Sequence, residues 1–514
     1  NVINLTIPYL YDFKLKPTFV KSSDNSKVLV NGVEQTSGET EVDFTKPVTY
    51  TVVGAEGGTR DYTVKVVNTG LPVVVVKHSG SGDFSKKYKG GVEIFGNNIG
   101  GTLVNQFVDF MVRGKDTDWV EDDQITVYNA DGTLNCDVTG GVRLRGNTSR
   151  RRPEGNVGEQ HSPDGDWHHA HFGVKFDEFV DDQTFCTADR IYLKWHKDDA
   201  NYCREVYCYD LFRRFGVWTA IENCYCRLWI HVEGDSKPAY YGVYEMLEAI
   251  DDKYVKKRKE LFGDHKHNLW KCGWGATLNY NDKNSSSFHV DDDSGNNYTY
   301  ELKSNTENFE VAKAQLIEFM KNVTERQGQD FHDWIASVCD VRLLLRTYAV
   351  NVVVGMWDDY WNNCNNYYIY FNSSDSEDYK FFFIPFDYDN TLGTSSNCGV
   401  QSDSGRQSPL KWGDTQKNPL IGKLLEFDDL RQIYVDALRE ICSKDRDLLY
   451  YEASLSRIKK WHKLINSYVV NDTGEDCKME DRPASWGNHH EYRLLDTNPD
   501  VNFFRVKAAA VDNL

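Results

Sequence analysis

The hydrophobic pattern changes along the chain, and this change restricts the fold more than any other feature of the sequence. Up to about residue 245, apolar residues form short runs such as 190–195 and 225–232, which are typical of β-strands. Beyond that point apolar residues recur at helical spacing, as in 309–323 and 331–354. A strand-rich part followed by a helix-rich part predicts a two-lobed α+β fold.

The first residues differ in composition from the rest of the chain. Residues 1–69 contain no Cys and no Trp, and they consist of short β-rich runs separated by turns. Asn31-Gly32 follows a β-branched run, and this dipeptide is a strong hairpin signal. We therefore predict a small all-β sandwich domain of immunoglobulin type at 1–69. A larger domain is expected at 70–514, strand-rich over about 70–250 and helix-rich over about 251–514.

Charge and hydropathy exclude several functional classes. The net charge is −19, whereas nonspecific binding to nucleic acid needs a basic surface. The pure apolar runs, such as 381–386, are far shorter than the ~18 residues of a membrane span. We therefore expect no nucleic-acid partner and no transmembrane segment in this chain. Because the chain begins at Asn1 rather than Met, we expect that an upstream signal segment has been removed.

The chain contains twelve cysteines and no Cys-x-x-Cys motif. An even number favours disulfides formed in an oxidising compartment, and buried free thiols are the alternative. We expect at least some of the cysteines to be disulfide-bonded.

The residues best suited to chemistry lie between 357 and 393. Asp387 and Asp389 follow the apolar run 381–386. Residues two apart at the end of a strand point in the same direction, so these two carboxylates can hold one cation together. A hairpin would bring Asp358 and Asn366 back beside Asp387. Carboxylate and amide oxygens are the ligands that Mg²⁺ prefers in proteins.

This set of side chains has two interpretations. Phosphoryl transfer needs an acid that orients or deprotonates the nucleophile, together with an Asp/Asn pair that holds metal. The alternative is that these residues only cap helices and form turns, where Asp and Asn are common. A charge placed directly after a buried strand costs free energy unless it is ligated, which favours the functional interpretation.

Several ordered motifs resemble one family. They are GVRLRGNTSR, IYLKWHKDDANYCREVYCYDLFRRFG, YYGVYEMLEAIDDKYVKKR, NLWKC, NNYYIY and FIPFDYDNTLG. Over roughly 71–470 the sequence is similar to the spore-coat-protein-H (CotH) kinase family. This resemblance implies a divergent two-lobed kinase-like fold that binds ATP with Mg²⁺ or Mn²⁺ and phosphorylates secreted or coat proteins.

The resemblance also implies roles for the acids. Asp358 matches the family's acid before its His-Asn-Tyr-Tyr element and takes a catalytic or metal-orienting role. Asp387 matches the acid of Pro-Trp-Asp-x-Asp and becomes a catalytic residue and a metal ligand. Asp389 and Asn366 become further metal ligands.

Five other residues are implied to bind the nucleotide. Arg145 and Asn147 match the Arg-Gly-Asn turn, Glu248 the acid of Gly-x-Tyr…Glu-x-Ile-Asp, and Lys271 the lysine of Asn-Leu-Tyr-Lys. Here an insertion, 150–167, follows the Arg-Gly-Asn turn, and the stretch that matches the family's Lys-Lys-x-Tyr element reads HHAHF. Lys175 is the nearest lysine left for the phosphates.

Two functions follow from these resemblances. The first is a secreted or cell-surface atypical protein kinase that transfers the ATP γ-phosphate to Ser or Thr of a protein substrate. The second is a catalytically silent surface protein that uses the same fold to bind a glycan or a protein. Residues 40–67 resemble sandwich modules of gut Bacteroidetes surface proteins, which implies an extracellular or cell-surface location and contact with the envelope. The motif order argues against a third possibility, a glycoside hydrolase with paired acids.

Overall fold

The computed structural model describes most of the chain. The described residues are 1–7, 14–21, 23, 25–68, 73–78, 120–128, 134–146, 149, 153, 165, 167–185, 188–232, 234–291, 298–375, 377–394, 403–484 and 491–514. Asn147, one of the predicted nucleotide-binding residues, lies outside them.

The protein has mixed α+β structure. Its strands are β1 Val2–Ile7, β2 Lys14–Leu15, β3 Lys27–Val30, β4 Val33–Glu34, β5 Val42–Asp43, β6 Val48–Val53, β7 Thr59–Asn68, β8 Val73–His78, β9 Val120–Tyr128, β10 Leu134–Arg145, β11 His171–Lys175, β12 Arg190–Trp195, β13 Asn223–Val232, β14 Ala239–Glu248, β15 Asn268–Cys272, β16 Phe288–Val290, β17 Tyr300–Leu302, β18 Tyr367–Phe371 and β19 Phe381–Pro385.

The helices concentrate in the second half, as predicted. They are α1 Arg204–Arg214, α2 Asp252–Lys257, α3 Lys259–Phe262, α4 Phe309–Glu325, α5 Gly328–Val338, α6 Val341–Val353, α7 Tyr360–Asn363, α8 Pro419–Leu424, α9 Asp428–Cys442, α10 Tyr451–Ile465 and α11 Phe503–Asp512. Within the described ranges, none of them combines the length and the apolar composition that crossing a membrane requires.

The N-terminal strands form a sheet in the order β1-β7-β6-β3-β4, and β2 pairs with β5. The predicted hairpin is confirmed, because β3 pairs antiparallel with β4 around Asn31 and Gly32. Both residues are left-handed, with φ of 50° and 81°, as a type I′ turn requires. Phe44 and Tyr50 stack with ring centres 6.3 Å apart in the core beneath this sheet.

The next strands close into a barrel with the order β10-β11-β12-β14-β13-β8-β9. Buried aliphatic and aromatic side chains fill it, among them Val74, Leu144, Phe172, Leu193 and Leu228. Closure leaves these strands without an exposed edge, so the barrel is a rigid support for side chains at its ends. Helix α1 contacts both β13 of this barrel and α6 of the helical part.

The helix-rich part also contains a five-stranded sheet with the order β16-β17-β15-β18-β19. Strands β18 and β19 pair antiparallel, with Tyr367 opposite Pro385 and Phe371 opposite Phe381. This hairpin was predicted, and it places Asn366, just before β18, beside the chain that leaves β19. All five residues of each strand are buried, so the two strands form a fixed base for the polar residues that flank them.

One long predicted helix, 331–354, is two helices in the structure. The chain is extended at Cys339, which forms a bridge with Phe381, and the Asp340 side chain accepts a hydrogen bond from the N–H of Leu343 at 2.9 Å. This cap begins α6. A similar break lies between α8 and α9, where Phe427 is extended. Apolar periodicity continues across both breaks and therefore hides them.

The expected disulfides are not found at most cysteines of the described part of the chain. Burial raises the pKa of Cys203, Cys208 and Cys226 well above its usual value, so these groups remain protonated thiols. Here cysteine serves mainly as a small apolar side chain. The cysteines concerned, all free thiols, are Cys203, Cys208, Cys226, Cys272, Cys339, Cys364, Cys442 and Cys477.

A lysine is completely buried under the C-terminal helix. Lys507 on α11 has no exposed surface, and its Nζ has no hydrogen-bond partner among the described residues. The Nζ lies 4.7 Å from the centre of the Trp412 ring. Burial lowers the pKa of Lys507 to about 7, because removal from water disfavours the ammonium form.

We predict that Lys507→Met stabilises the protein by about 2 kcal/mol near pH 6.5, since a buried donor without a partner is removed. The unfolded lysine has a pKa of ~10.4, so the unfolded state binds more protons above pH 7 and stability rises with pH there. The gain should therefore be smaller at pH 9 than at pH 6.5. Denaturant unfolding at both pH values measures the gain in stability. Lys478→Met is the control, because the Lys478 side chain is 79% exposed. An equal gain at the two pH values would contradict the prediction.

Candidate functional site

A buried lysine from the barrel joins three carboxylates. The Lys194 side chain on β12 is 7% exposed, and its Nζ lies 2.6 Å from Oε2 of Glu205 and 3.1 Å from Oδ2 of Asp389. The same Nζ donates to Oδ1 of Asp387. Glu205 lies in the first turn of α1, and both aspartates follow β19. One ammonium group thus connects the barrel, the helix and the chain after the hairpin.

The turn after β19 has an unusual backbone conformation. Asp387 has φ of 64°, in the left-handed region, which costs a residue with a side chain about 1–2 kcal/mol. Its N–H donates to the hydroxyl oxygen of Tyr209 at 3.0 Å, and the N–H of Tyr388 donates to Oε1 of Glu205 at 3.0 Å. Both acceptors lie on α1, four residues apart. These contacts hold the turn in the conformation that presents the Asp387 carboxylate to Lys194.

Burial and charge act in opposite directions on this cluster. Burial alone would lower the pKa of Lys194, but the carboxylates of Asp387, Asp389 and Glu205 bring it well above its usual value. Burial alone would raise the pKa of Asp387, but Lys194 and Arg145 bring it below its usual value. Burial raises the pKa of Asp389, and repulsion by Asp387 adds to that rise. Burial also raises the pKa of Glu205, to about 7, so the three carboxyl groups that share this ammonium differ in how readily they ionise.

Asp358 is held by amide groups instead of cations. Its Oδ1 accepts from Nδ2 of Asn363 at 2.6 Å and of Asn365 at 3.2 Å, and its Oδ2 accepts from Nδ2 of Asn366 at 3.0 Å. Burial raises the pKa of Asp358 to about 6, and the charges of the two aspartates after β19 contribute to the rise. The carboxylate is therefore oriented, mostly ionised at neutral pH, and close enough to those aspartates to be affected by them.

The neighbouring Asp359 connects the Asp358 loop to the turn after β19. Its Oδ2 accepts from Nδ2 of Asn351 on α6 at 2.6 Å, and Oδ1 of that asparagine accepts from the Tyr388 hydroxyl at 2.9 Å. Tyr388 lies between the two aspartates that contact Lys194. The loop and the turn are thus joined through buried side chains.

Two of the predicted nucleotide-binding residues lie beside the cluster. The guanidinium carbon of Arg145 is 3.9 Å from the ring centre of Tyr192, and the positive charge of Arg145 lowers the pKa of Asp387. Lys271 on β15 lies 3.6 Å from Oε2 of Glu301, and its charge also contributes to the lowered pKa of Asp387. Both side chains add positive charge next to the acids.

Two other predicted residues are not brought to the cluster. Oε2 of Glu248 lies 2.7 Å from Arg258, and its Oε1 lies 3.0 Å from Lys257, so its carboxylate is already paired. Lys175 lies 2.7 Å from Glu178. Lys175 stands opposite Arg190 in the β11–β12 register. Arg190 precedes Lys194 by four residues on β12, so about 13 Å of strand separates Lys175 from the position of Lys194.

Lys194 and Glu205 were not predicted from the sequence. A signal for them exists, because Lys194 stands between the apolar residues Leu193 and Trp195, and Glu205 occurs in the first turn of the following helix, whose first nine residues are all buried. Buried charges of opposite sign are expected to pair. What the sequence does not reveal is that both residues meet acids almost two hundred positions farther along.

The oxygen donors of this site fit a hard divalent cation. Asp387 and Asp389 already converge on one positively charged group, the ammonium of Lys194. Nδ2 of Asn366 is engaged with Asp358, so Oδ1 is the atom with which it can ligate a metal. Among the described residues no three His, Cys, Asp or Glu side chains form a complete metal site. Mg²⁺ typically uses one or two carboxylates and completes its shell with phosphate oxygens and water.

Comparison with known proteins gives two matches. Residues 142–495, more than half of the chain, match the family model described as CotH kinase protein. Residues 1–66 match the model described as SGBP, N-terminal. No curated protein matches the chain.

We predict that Lys194→Met lowers the free energy of unfolding by about 3–5 kcal/mol, because it leaves the buried carboxylate of Glu205 and the partly exposed carboxylates of Asp387 and Asp389 without their cation. Lys175→Met is the matched control: Lys175 also lies on the barrel, but its side chain is 23% exposed and pairs with Glu178, which is 24% exposed. The Lys175→Met variant should lose less than about 1 kcal/mol of its free energy of unfolding. Denaturant unfolding of both variants measures the difference, and equal losses would show that Lys194 does not hold the cluster together.

Proposed function

Because the chain belongs to the CotH kinase protein family, we propose that it is an atypical protein kinase that transfers the ATP γ-phosphate to Ser or Thr of a protein substrate. The observation that supports this most is the contact of Lys194 with Glu205, Asp387 and Asp389, with Asp358 nearby. Phosphoryl transfer is catalysed mainly by positioning and by charge, and this cluster provides both.

Each group has a role in this proposal. Asp387 and Asp389, with Asn366, hold Mg²⁺ or Mn²⁺, which neutralises charge on the phosphate oxygens. Arg145 and Lys271 supply positive charge for the polyphosphate beside these ligands. Lys194, fixed by Glu205, orients the acids and offers an ammonium group to the phosphates.

Asp358 acts on the acceptor hydroxyl. Three asparagine amides fix both of its oxygens, so its carboxylate has a defined direction. A pKa raised to about 6 leaves it ionised at neutral pH and still basic enough to accept a proton from a serine or threonine. In this proposal it orients that hydroxyl and takes its proton as the phosphoryl group is transferred.

The N-terminal match supports a location for this activity. An SGBP-type domain at 1–66 points to surface glycan-binding proteins, so we place the chain outside the cell or on its surface, in contact with the envelope. Division into a sandwich domain at 1–69 and a kinase-like domain at 70–514 is part of this proposal. The same match favours a second candidate function, a catalytically silent surface protein that binds a glycan or a protein.

We predict that Asp387→Asn reduces phosphoryl transfer by about 10²–10³, because the variant keeps the size of the side chain but loses the charge that holds the metal. The assay follows transfer from labelled ATP to the chain itself or to an added protein, with Mg²⁺ or Mn²⁺. Asp428→Asn is the control, because Asp428 is 92% exposed at the start of α9.

Two results would count against this assignment. Equal transfer by wild type and Asp387→Asn would remove Asp387 from the site. A wild-type protein that neither binds ATP nor transfers phosphate with any divalent metal would favour the binding protein over the kinase.

A further inference from the structure

We propose that Tyr209 is a positioning residue that fixes the metal-binding turn, Asp387–Tyr388–Asp389, to helix α1. Through this contact the position of α1 determines where the Asp387 carboxylate lies. The inference rests on the proposed function and adds to it a means of regulation. Any ligand or partner that shifts α1 would also shift the metal ligands.

The turn and the helix are joined by two adjacent backbone donors. The N–H of Asp387 donates to the Tyr209 hydroxyl, and the N–H of Tyr388 donates to Oε1 of Glu205, both at 3.0 Å. Glu205 and Tyr209 are four residues apart, so they lie on the same face of α1, separated by about 6 Å along its axis. Two contacts at different heights on the helix fix both the position and the orientation of the turn.

Tyr209 satisfies a donor that the sheet cannot satisfy. The β18–β19 pairing ends at Pro385, and Asp387 is left-handed, with φ of 64°, two residues beyond it. A partly buried backbone N–H that the sheet does not pair needs an acceptor from elsewhere. The Tyr209 side chain has no exposed surface, and its ring packs against Phe212 and Tyr388 with centres 6.5 and 5.9 Å away. Its hydroxyl therefore has a fixed position.

The same turn is held from the opposite side. The Tyr388 hydroxyl donates to Asn351 on α6, and Asn351 donates to Asp359, the neighbour of Asp358. The turn thus lies between α1 and α6. A movement of α1 relative to α6 would strain or break one of these contacts, so the arrangement of the two helices is coupled to the geometry of the acids.

Tyr209→Phe tests the proposal with little change in packing. The variant keeps the ring and removes the acceptor for the N–H of Asp387, so the turn can relax and the two aspartates no longer converge. We expect the affinity for Mn²⁺, measured with a nonhydrolysable ATP analogue present, to fall about tenfold. Phosphoryl transfer should recover at saturating Mn²⁺, because the affected quantity is metal affinity.

The matched control is Tyr254→Phe. Tyr254 is 1% exposed, and its hydroxyl donates to the carbonyl oxygen of Thr219 at 2.6 Å, away from the turn. Both variants lose one buried hydrogen bond of a tyrosine hydroxyl, so both should lose similar thermal stability. Only Tyr209→Phe should weaken Mn²⁺ binding, which a purely structural role for Tyr209 would not produce.

The experiment is Mn²⁺ titration of the full chain by calorimetry, for wild type and both variants. Wild-type Mn²⁺ affinity in Tyr209→Phe, or equal weakening in Tyr254→Phe, would overturn the positioning role alone. A wild-type protein that binds no Mn²⁺ with the nucleotide analogue would overturn both this role and the proposed kinase function.

Discussion

The ammonium group of Lys194 is the interaction on which the site depends. The carboxyl group of Glu205 is buried and those of Asp387 and Asp389 are partly exposed, and without a cation the three would repel one another. A buried charge is tolerated only when it is paired, so the strand, the helix and the hairpin must meet where the lysine ends. Electrostatic attraction to Lys194 therefore joins the barrel, α1 and the sheet that contains β19, in addition to packing.

Around this point two kinds of acid are kept apart by their surroundings. Asp387 is close to cations, which lower its pKa, whereas Asp358 accepts hydrogen bonds from three asparagine amides, and burial raises its pKa to about 6. Groups with pKa values displaced in opposite directions are suited to different tasks. The first environment suits a permanent metal ligand, and the second suits a group that gains and loses a proton.

The local parts of this arrangement could be predicted from the sequence, and the distant contacts could not. The β18–β19 hairpin follows from two adjacent apolar runs, so Asp358, Asn366 and the acids after β19 were placed together correctly. Lys194 and Glu205 were missed, because their importance depends on residues almost two hundred positions away. Local spacing, which brings each residue near its sequence neighbours, contains no information about such a contact.

Other predicted positions show contacts that the sequence does not reveal. Glu248 and Lys175, which the resemblance assigns to the nucleotide, form ion pairs with Arg258 and Glu178 respectively. Helical periodicity could not reveal the break at Cys339, because the bridge to Phe381 is a tertiary contact. The even number of cysteines suggested disulfides, but the same number is equally compatible with free thiols buried in an apolar core.

A crystal structure of the full chain with Mn²⁺ and a nonhydrolysable ATP analogue, in which anomalous scattering locates the metal, would show directly whether these acids bind the metal. We expect a manganese peak bound by carboxylate oxygens of Asp387 and Asp389, with the terminal phosphate facing Asp358. A manganese ion bound elsewhere, or nucleotide bound without contact to these acids, would show that the site is assigned wrongly.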